Sequence, residues 1–261
     1  MKHAVYQMDI VAGDPKKNRE NVRQWIKQTA EAAQPDVIVL PEMWTTGYTL
    51  SELKELADVD AEPTTSFLSD MAITYHVNII GGSFANYKGE GIYNTSIVVD
   101  RQGVVVNEYD KIHLVPMLDE PRYLTGGQEK VTTFELDGVK MGLIICYDLR
   151  FPELARSLAL QDAQIMYVVA EWPAVRIEHW KTLQVARAIE NQMYVVSSNR
   201  IGSYNGVDFG GSSMIIDPTG NPLRTGSETK EETIVESLAL DTVSEIRKAV
   251  PIFSNRVPHL Y

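Results

Sequence analysis

Apolar positions fall into two alternating rhythms along this chain. Residues 4–10 read as a strand, and residues 37–40 are wholly apolar, as expected of a strand buried on both faces. Between them, Asp14-Pro15 supplies an N-cap and a proline for the first helical position; Val22, Trp25, Ile26, Thr29, Ala30 and Ala33 follow at the spacing of a one-sided helix. A second helix carries Phe67, Leu68, Met71, Ala72 and Tyr75, and residues 77–80 are strand again. The middle of the chain changes character. Residues 96–100 and 104–109 flank Arg101-Gln102-Gly103, and residues 131–136 and 139–146 flank Asp137-Gly138, both signatures of antiparallel hairpins. A helix over 152–160, a strand over 165–170, a helix around 180–192 and a strand over 193–198 restore the α/β alternation. Residues 213–217 and 233–240, on either side of Pro218-Thr219-Gly220, are expected to form a last hairpin before a short helix near 242–249.

A single sheet of about a dozen strands would be unusually wide. Two sheets packed face to face, each covered outside by helices, bury every apolar strand. The expected fold class is therefore α/β, a four-layer α-β-β-α sandwich of two mixed β-sheets with helices on both outer faces. No repeat, low-complexity stretch or linker interrupts residues 1–261, so one domain is expected.

Composition narrows the function classes. With 261 residues, 44% of them hydrophobic and 23% charged, the chain can bury a large core, which excludes disordered and collagen-like classes. The net charge of -11, from 24 basic against 35 acidic residues in no long block, argues against a nucleic-acid partner. It leaves room for a small anion held by one buried arginine. No apolar run approaches the ~20 residues of a membrane span, and no apolar leader follows Met1, so a cytoplasmic protein without a membrane partner is expected. The single cysteine, Cys146, excludes an internal disulfide and a multi-thiolate metal site.

Three ionisable residues share one setting, the polar end of an apolar strand. Glu42 ends VIVLPE, Lys111 ends VVVNEYDK and Cys146 ends GLIIC. In layered α/β folds such positions collect in the crevice that binds ligand. A cysteine after four apolar residues is more often a small core residue, but the YDLRFPEL that follows is a tight turn entering a helix. Helix-terminal N–H groups there would favour a thiolate or a developing oxyanion. A thiol with an ordinary pKa of ~8.5 also needs a base or cation nearby. None of the five histidines sits in a Cys-His motif, and His113, the one beside these residues, stays as an alternative base. Glu42, desolvated behind Pro41, offers a base with a raised pKa, and Lys111 offers a cation that lowers the thiol pKa and donates to an oxyanion. The bland alternatives are a surface acid and a solvated lysine.

LPEMWTTGY around Glu42, YDKIHLVPM around Lys111 and GLIICYDLRFPELAR around Cys146 resemble the nitrilase superfamily of carbon–nitrogen hydrolases, and the likeness extends from the first strand to DPTGNPL. The resemblance implies the same sandwich, with Glu42 as general base, Cys146 as nucleophile, and Lys111 with the Tyr147 N–H as oxyanion donors. It also implies a further glutamate, matched by Glu120 in MLDEPRYLTGG, with neighbouring Asp119 as the alternative. The segment AEWPAVRIEHWKTLQVARAIENQMYVVSSNRIG is similar to the omega-amidase branch, which deamidates 2-oxoglutaramate and 2-oxosuccinamate.

Such a substrate needs a cation several ångströms from the thiol, and Arg150 is the candidate. Tyr48, Glu171 and Trp172 are expected to line the rest of the pocket, with Glu171 needing a cation such as Arg150 or Arg176. The implied activity is hydrolysis of a terminal amide through a cysteine thioester, with a small-molecule amide as partner, no metal or organic cofactor, and a homodimer or larger assembly. Nitrilase and N-carbamoyl amino acid hydrolase activity are alternatives, as is a non-catalytic binding protein that kept the fold. A metal-dependent hydrolase would need a His-Glu-x-x-His or dense His/Asp cluster, which this chain lacks.

Overall fold

The computed structural model describes residues 1–260. The N-terminal half runs β1 (Lys2–Gln7), α1 (Pro15–Ala33), β2 (Val37–Val39), α2 (Leu53–Leu56), β3 (Asp58–Val59), α3 (Thr64–Tyr75), β4 (Asn78–Ile80), β5 (Phe84–Lys88), β6 (Gly91–Val99) and β7 (Val105–Asp110). A short α4 (Glu120–Tyr123) leads to β8 (Phe134–Leu136), β9 (Val139–Ile145), α5 (Pro152–Leu160), β10 (Ile165–Ala170), α6 (Ile177–Asn191) and β11 (Tyr194–Asn199). The chain closes with β12 (Ile201–Tyr204), β13 (Val207–Gly210), β14 (Met214–Ile216), β15 (Pro222–Thr225), β16 (Glu232–Ser237) and α7 (Asp241–Ala249).

Two mixed sheets form the centre. The first has the order β16-β1-β2-β4-β6-β5-β3, with β7 paired to β6; the second has the order β15-β14-β11-β10-β9-β8. β1, β2 and β4 run parallel, as do β9, β10 and β11, and antiparallel strands flank both trios. Period-two alternation explains how short strands bury both faces. Val5, Val37 and Val39 pack inward with Leu143 and Tyr167 of the opposite sheet, whereas Ala4, Ile38 and Leu40 pack outward with Val22, Ile26 and Leu68 of α1 and α3. Ala155 and Leu158 of α5 and Trp180 and Ala188 of α6 cover the second sheet. The chain is thus the four-layer α-β-β-α sandwich expected from its pattern. Asp14 caps α1, its side chain accepting from the Lys17 N–H, with Pro15 at the first helical position.

The last expected hairpin needs correction. β14 pairs with β15, while β16 crosses to the first sheet and pairs antiparallel with β1. The reason is local: the Asp217 side chain accepts from the Thr219 and Asn221 N–H groups, closing a turn so tight that residues 222–225 already form the returning arm. The first strand also stops at Gln7 rather than continuing to Ile10.

Candidate active site

Face-to-face packing brings the carboxyl ends of both parallel trios to one crevice. Glu42 lies three residues beyond β2, Lys111 follows β7, Cys146 follows β9 and Glu171 follows β10; all four are buried. Two backbone features set the first and third. Behind Glu42, Gly82 has φ of +63°, and a Cβ there would lie 2.1 Å from the Pro41 carbonyl oxygen, so only glycine lets the two strand-end loops meet. Cys146 itself has φ of +46°, a sparsely populated conformation for a non-glycine residue. It turns the chain sharply from β9 towards α5.

Glu42 is the hub. Its Oε1 accepts from Lys111 Nζ at 2.9 Å, Asn94 Nδ2 at 2.8 Å and Tyr48 hydroxyl at 3.1 Å, while its Oε2 accepts from the Glu171 N–H at 2.7 Å. The last bond ties the two sheets together. The Cys146 thiol is buried in the same cluster, where the Glu42 carboxylate and the Lys111 ammonium act on it by their charges. Glu120 completes the cluster: its Oε1 accepts from Lys111 Nζ at 2.7 Å and from the Tyr48 hydroxyl, and its Oε2 accepts from the Val115 N–H. Asp119, the alternative by a one-residue shift, is exposed.

Electrostatics follow from this burial. Desolvation alone would lower the Lys111 ammonium, but Glu120 and Glu42 outweigh it and hold Lys111 well above the usual lysine range. Burial raises the Glu120 carboxyl against the pull of Lys111. The Cys146 thiol is pushed well above its ordinary value, first by burial and then by the charge of Glu42, with Lys111 opposing. The sequence alone predicts that Lys111 lowers the thiol pKa. Lys111 does pull downward, but two neighbouring carboxylates and the lack of water prevail, so the resting sulfur is protonated.

The remaining expected residues are distributed differently. Tyr147, Arg150, Glu171 and Trp172 line one small cavity with Cys146. Arg150 stacks over Trp172 at 4.7 Å and over Tyr147 at 5.8 Å; among the described residues no carboxylate pairs with it. Tyr48 lies between the two glutamates rather than in that cavity's wall, and its ring borders an adjoining cleft. The cation opposite Glu171 is Arg200, 3.1 Å away, not Arg150 or Arg176. His113 is withdrawn from the sulfur: its Nδ1 lies 2.8 Å from Asp148 Oδ1 and its ring stacks on Phe151. Asp148 also accepts from Tyr109, pinning the turn after Cys146 to the strand before Lys111.

Sequence reasoning missed Asn94, Arg200 and Asp148. A polar residue inside the apolar GIYNTSIVV strand, and an arginine closing YVVSSNR, were the available signals.

An α-β-β-α sandwich that gathers a buried thiol, an ammonium and two carboxylates at its strand ends defines a class of hydrolases that open carbon–nitrogen bonds. This chain belongs to the carbon–nitrogen hydrolase family, whose sequence profile matches residues 2–248. It is 43% identical over 256 residues to a 2-oxoglutaramate amidase of Bacillus subtilis, covering 98% of this chain and 97% of that protein. It is 48% identical over 227 residues to a protein of Staphylococcus lugdunensis described as a hydrolase in the agr operon, covering 87% and 97% of the two chains. A Saccharomyces cerevisiae member of branch 10 of the nitrilase superfamily superposes with a TM-score of 0.88 at 28% identity, covering 96% of this chain and 94% of the other.

Proposed function

We propose that this protein hydrolyses the terminal amide of a small carboxylate-bearing substrate of the 2-oxoglutaramate type, releasing ammonia through a thioester on Cys146. The observation that carries the reading is that one buried carboxylate, Glu42, is hydrogen-bonded to Lys111 and acts by its charge on the buried Cys146 thiol. Because the thiol rests protonated, proton transfer from sulfur to Glu42 accompanies attack on the amide carbon. Lys111 Nζ and the Tyr147 N–H donate to the oxyanion. The C–N bond then breaks as Glu42 returns the proton to the departing nitrogen. A water molecule, losing a proton to Glu42 and oriented by Glu120, cleaves the thioester and restores the thiol.

Arg150 supports the choice of an anionic substrate, being a guanidinium in the cavity wall with no carboxylate among the described residues paired to it. The working form we propose is a cytoplasmic homodimer or larger assembly. Ammonia release from 2-oxoglutaramate, compared with a nitrile and an N-carbamoyl amino acid at equal concentration, tests the substrate class. The account expects the amide to be preferred by at least about tenfold in kcat/KM, and a preference for either rival would overturn it.

A further inference from the structure

Glu171 poses a problem for a site that takes an anion. Its Oε2 accepts from Arg200 Nη1 at 3.1 Å, but its Oε1 is buried and takes no hydrogen bond from the described residues, although Glu171 lines the cavity beside Cys146. Arg200 is committed elsewhere: its Nε donates to the Ile201 carbonyl, its Nη2 to the Ile10 carbonyl, and its guanidinium covers the Phe209 ring at 4.4 Å. An ionised carboxylate with one bare oxygen in a dry wall is costly, and it would also repel an incoming carboxylate.

The charged and titratable groups around Glu171 are Glu42, Lys111, Cys146 and Tyr48 in the cluster, Arg200 with Asp9 behind it, and Arg150 and Arg176 along the cavity. Burial pushes the Glu171 carboxyl up to about 8, with Glu42 adding to the rise and Arg200 and Lys111 opposing it.

We propose that Glu171 engages substrate as a neutral carboxylic acid, its Oε1 hydroxyl donating to an oxo or carboxylate oxygen of the anionic ω-amide while Arg200 holds Oε2. The bare oxygen then has its partner only when substrate is bound, and Glu171 acts as a specificity-determining residue. This rests on the anionic-substrate reading above. One consequence is a pH limit on binding: as pH rises through about 8 the donor is lost and a charge appears that repels substrate.

The test measures KM for 2-oxoglutaramate and for the neutral amide pentanamide at pH 7 and pH 9, in the unaltered enzyme and in Glu171→Gln, whose side-chain amide can donate at both pH values. The competent fraction falls about tenfold across that interval, so KM for 2-oxoglutaramate should rise about tenfold in the unaltered enzyme. KM for pentanamide should stay constant, and Glu171→Gln should flatten the 2-oxoglutaramate profile. A flat profile in the unaltered enzyme, the same rise with pentanamide, or a rise that persists in Glu171→Gln overturns the proposal. If the unaltered enzyme cleaves pentanamide but not 2-oxoglutaramate at either pH, the anionic-substrate reading itself fails and this inference fails with it.

Discussion

In the proposed cycle the Glu42 carboxylate does two opposed things, taking the sulfur's proton and remaining bonded to an ammonium, and its neighbours bear on both. Lys111 lies between Glu42 and Glu120, so two carboxylates share one cation, and the Tyr48 hydroxyl touches both acids. Removing that hydroxyl in Tyr48→Phe takes away a buried hydrogen bond to charged groups, an interaction of about 1.5–3 kcal/mol, so kcat should fall roughly 10- to 100-fold. Steady-state ammonia release reads this directly, and an unchanged kcat would place Tyr48 outside the machinery. Glu120 and Asp119 can be separated in the same assay: Glu120→Gln should be severely impaired, whereas Asp119→Asn, exposed and outside the cluster, should keep its rate. Legibility in the sequence ran along the same line. Glu42, Lys111 and Cys146 stood out because each ends an apolar strand, a local feature. Arg200 as the partner of Glu171, and Asp148 as the tie between the Cys146 turn and His113, depend on which strand ends meet, which no local pattern encodes.

Most elements were readable because period-two and 3.6-residue patterns report burial, and α5 and β10 fall where their patterns placed them. β16 escaped because a strand's pattern says which face is buried but not which edge it joins. Joining the two sheets is also where stability should depend on pH. His3 of β1 is fully buried, its Nε2 lying 2.8 Å from the Tyr167 hydroxyl of β10, and burial pushes its pKa down to about 4. It is neutral in the folded protein, whereas the unfolded chain binds a proton below pH ~6.5. Its contribution is therefore intact above that pH and is lost as pH falls towards 4, about 3 kcal/mol in all. Urea unfolding at pH 7 and pH 4.5 should show a smaller acid loss for His3→Phe than for the unaltered chain. Gly82 is a second sensitive point. Gly82→Ala must push apart the loops that carry Glu42, so stability should fall by about 1 kcal/mol or more and kcat with it, as thermal unfolding and initial rates would record.

At the scale of the whole molecule, the sandwich supplies what the chemistry requires: two sets of strand ends facing one crevice, and enough core around them to exclude water. Every proton and charge in the proposed cycle moves through side chains. Activity should therefore be unaffected by dialysis against a metal chelator, measured as kcat before and after. Away from the crevice, the exposed side chains Ile189 and Val250 border a broad groove beside α6 and α7. A dimer there would hide them, and sedimentation should give a mass of at least about twice that of the 29.3 kDa chain. The central claim concerns the sulfur, and acid-quenched mass spectrometry during turnover of a slow ω-amide examines it most directly. The account predicts a transient mass increase equal to the substrate's acyl group, mapped to Cys146; turnover with the adduct on another side chain, or with the chain's mass unchanged at every quench time, would contradict it.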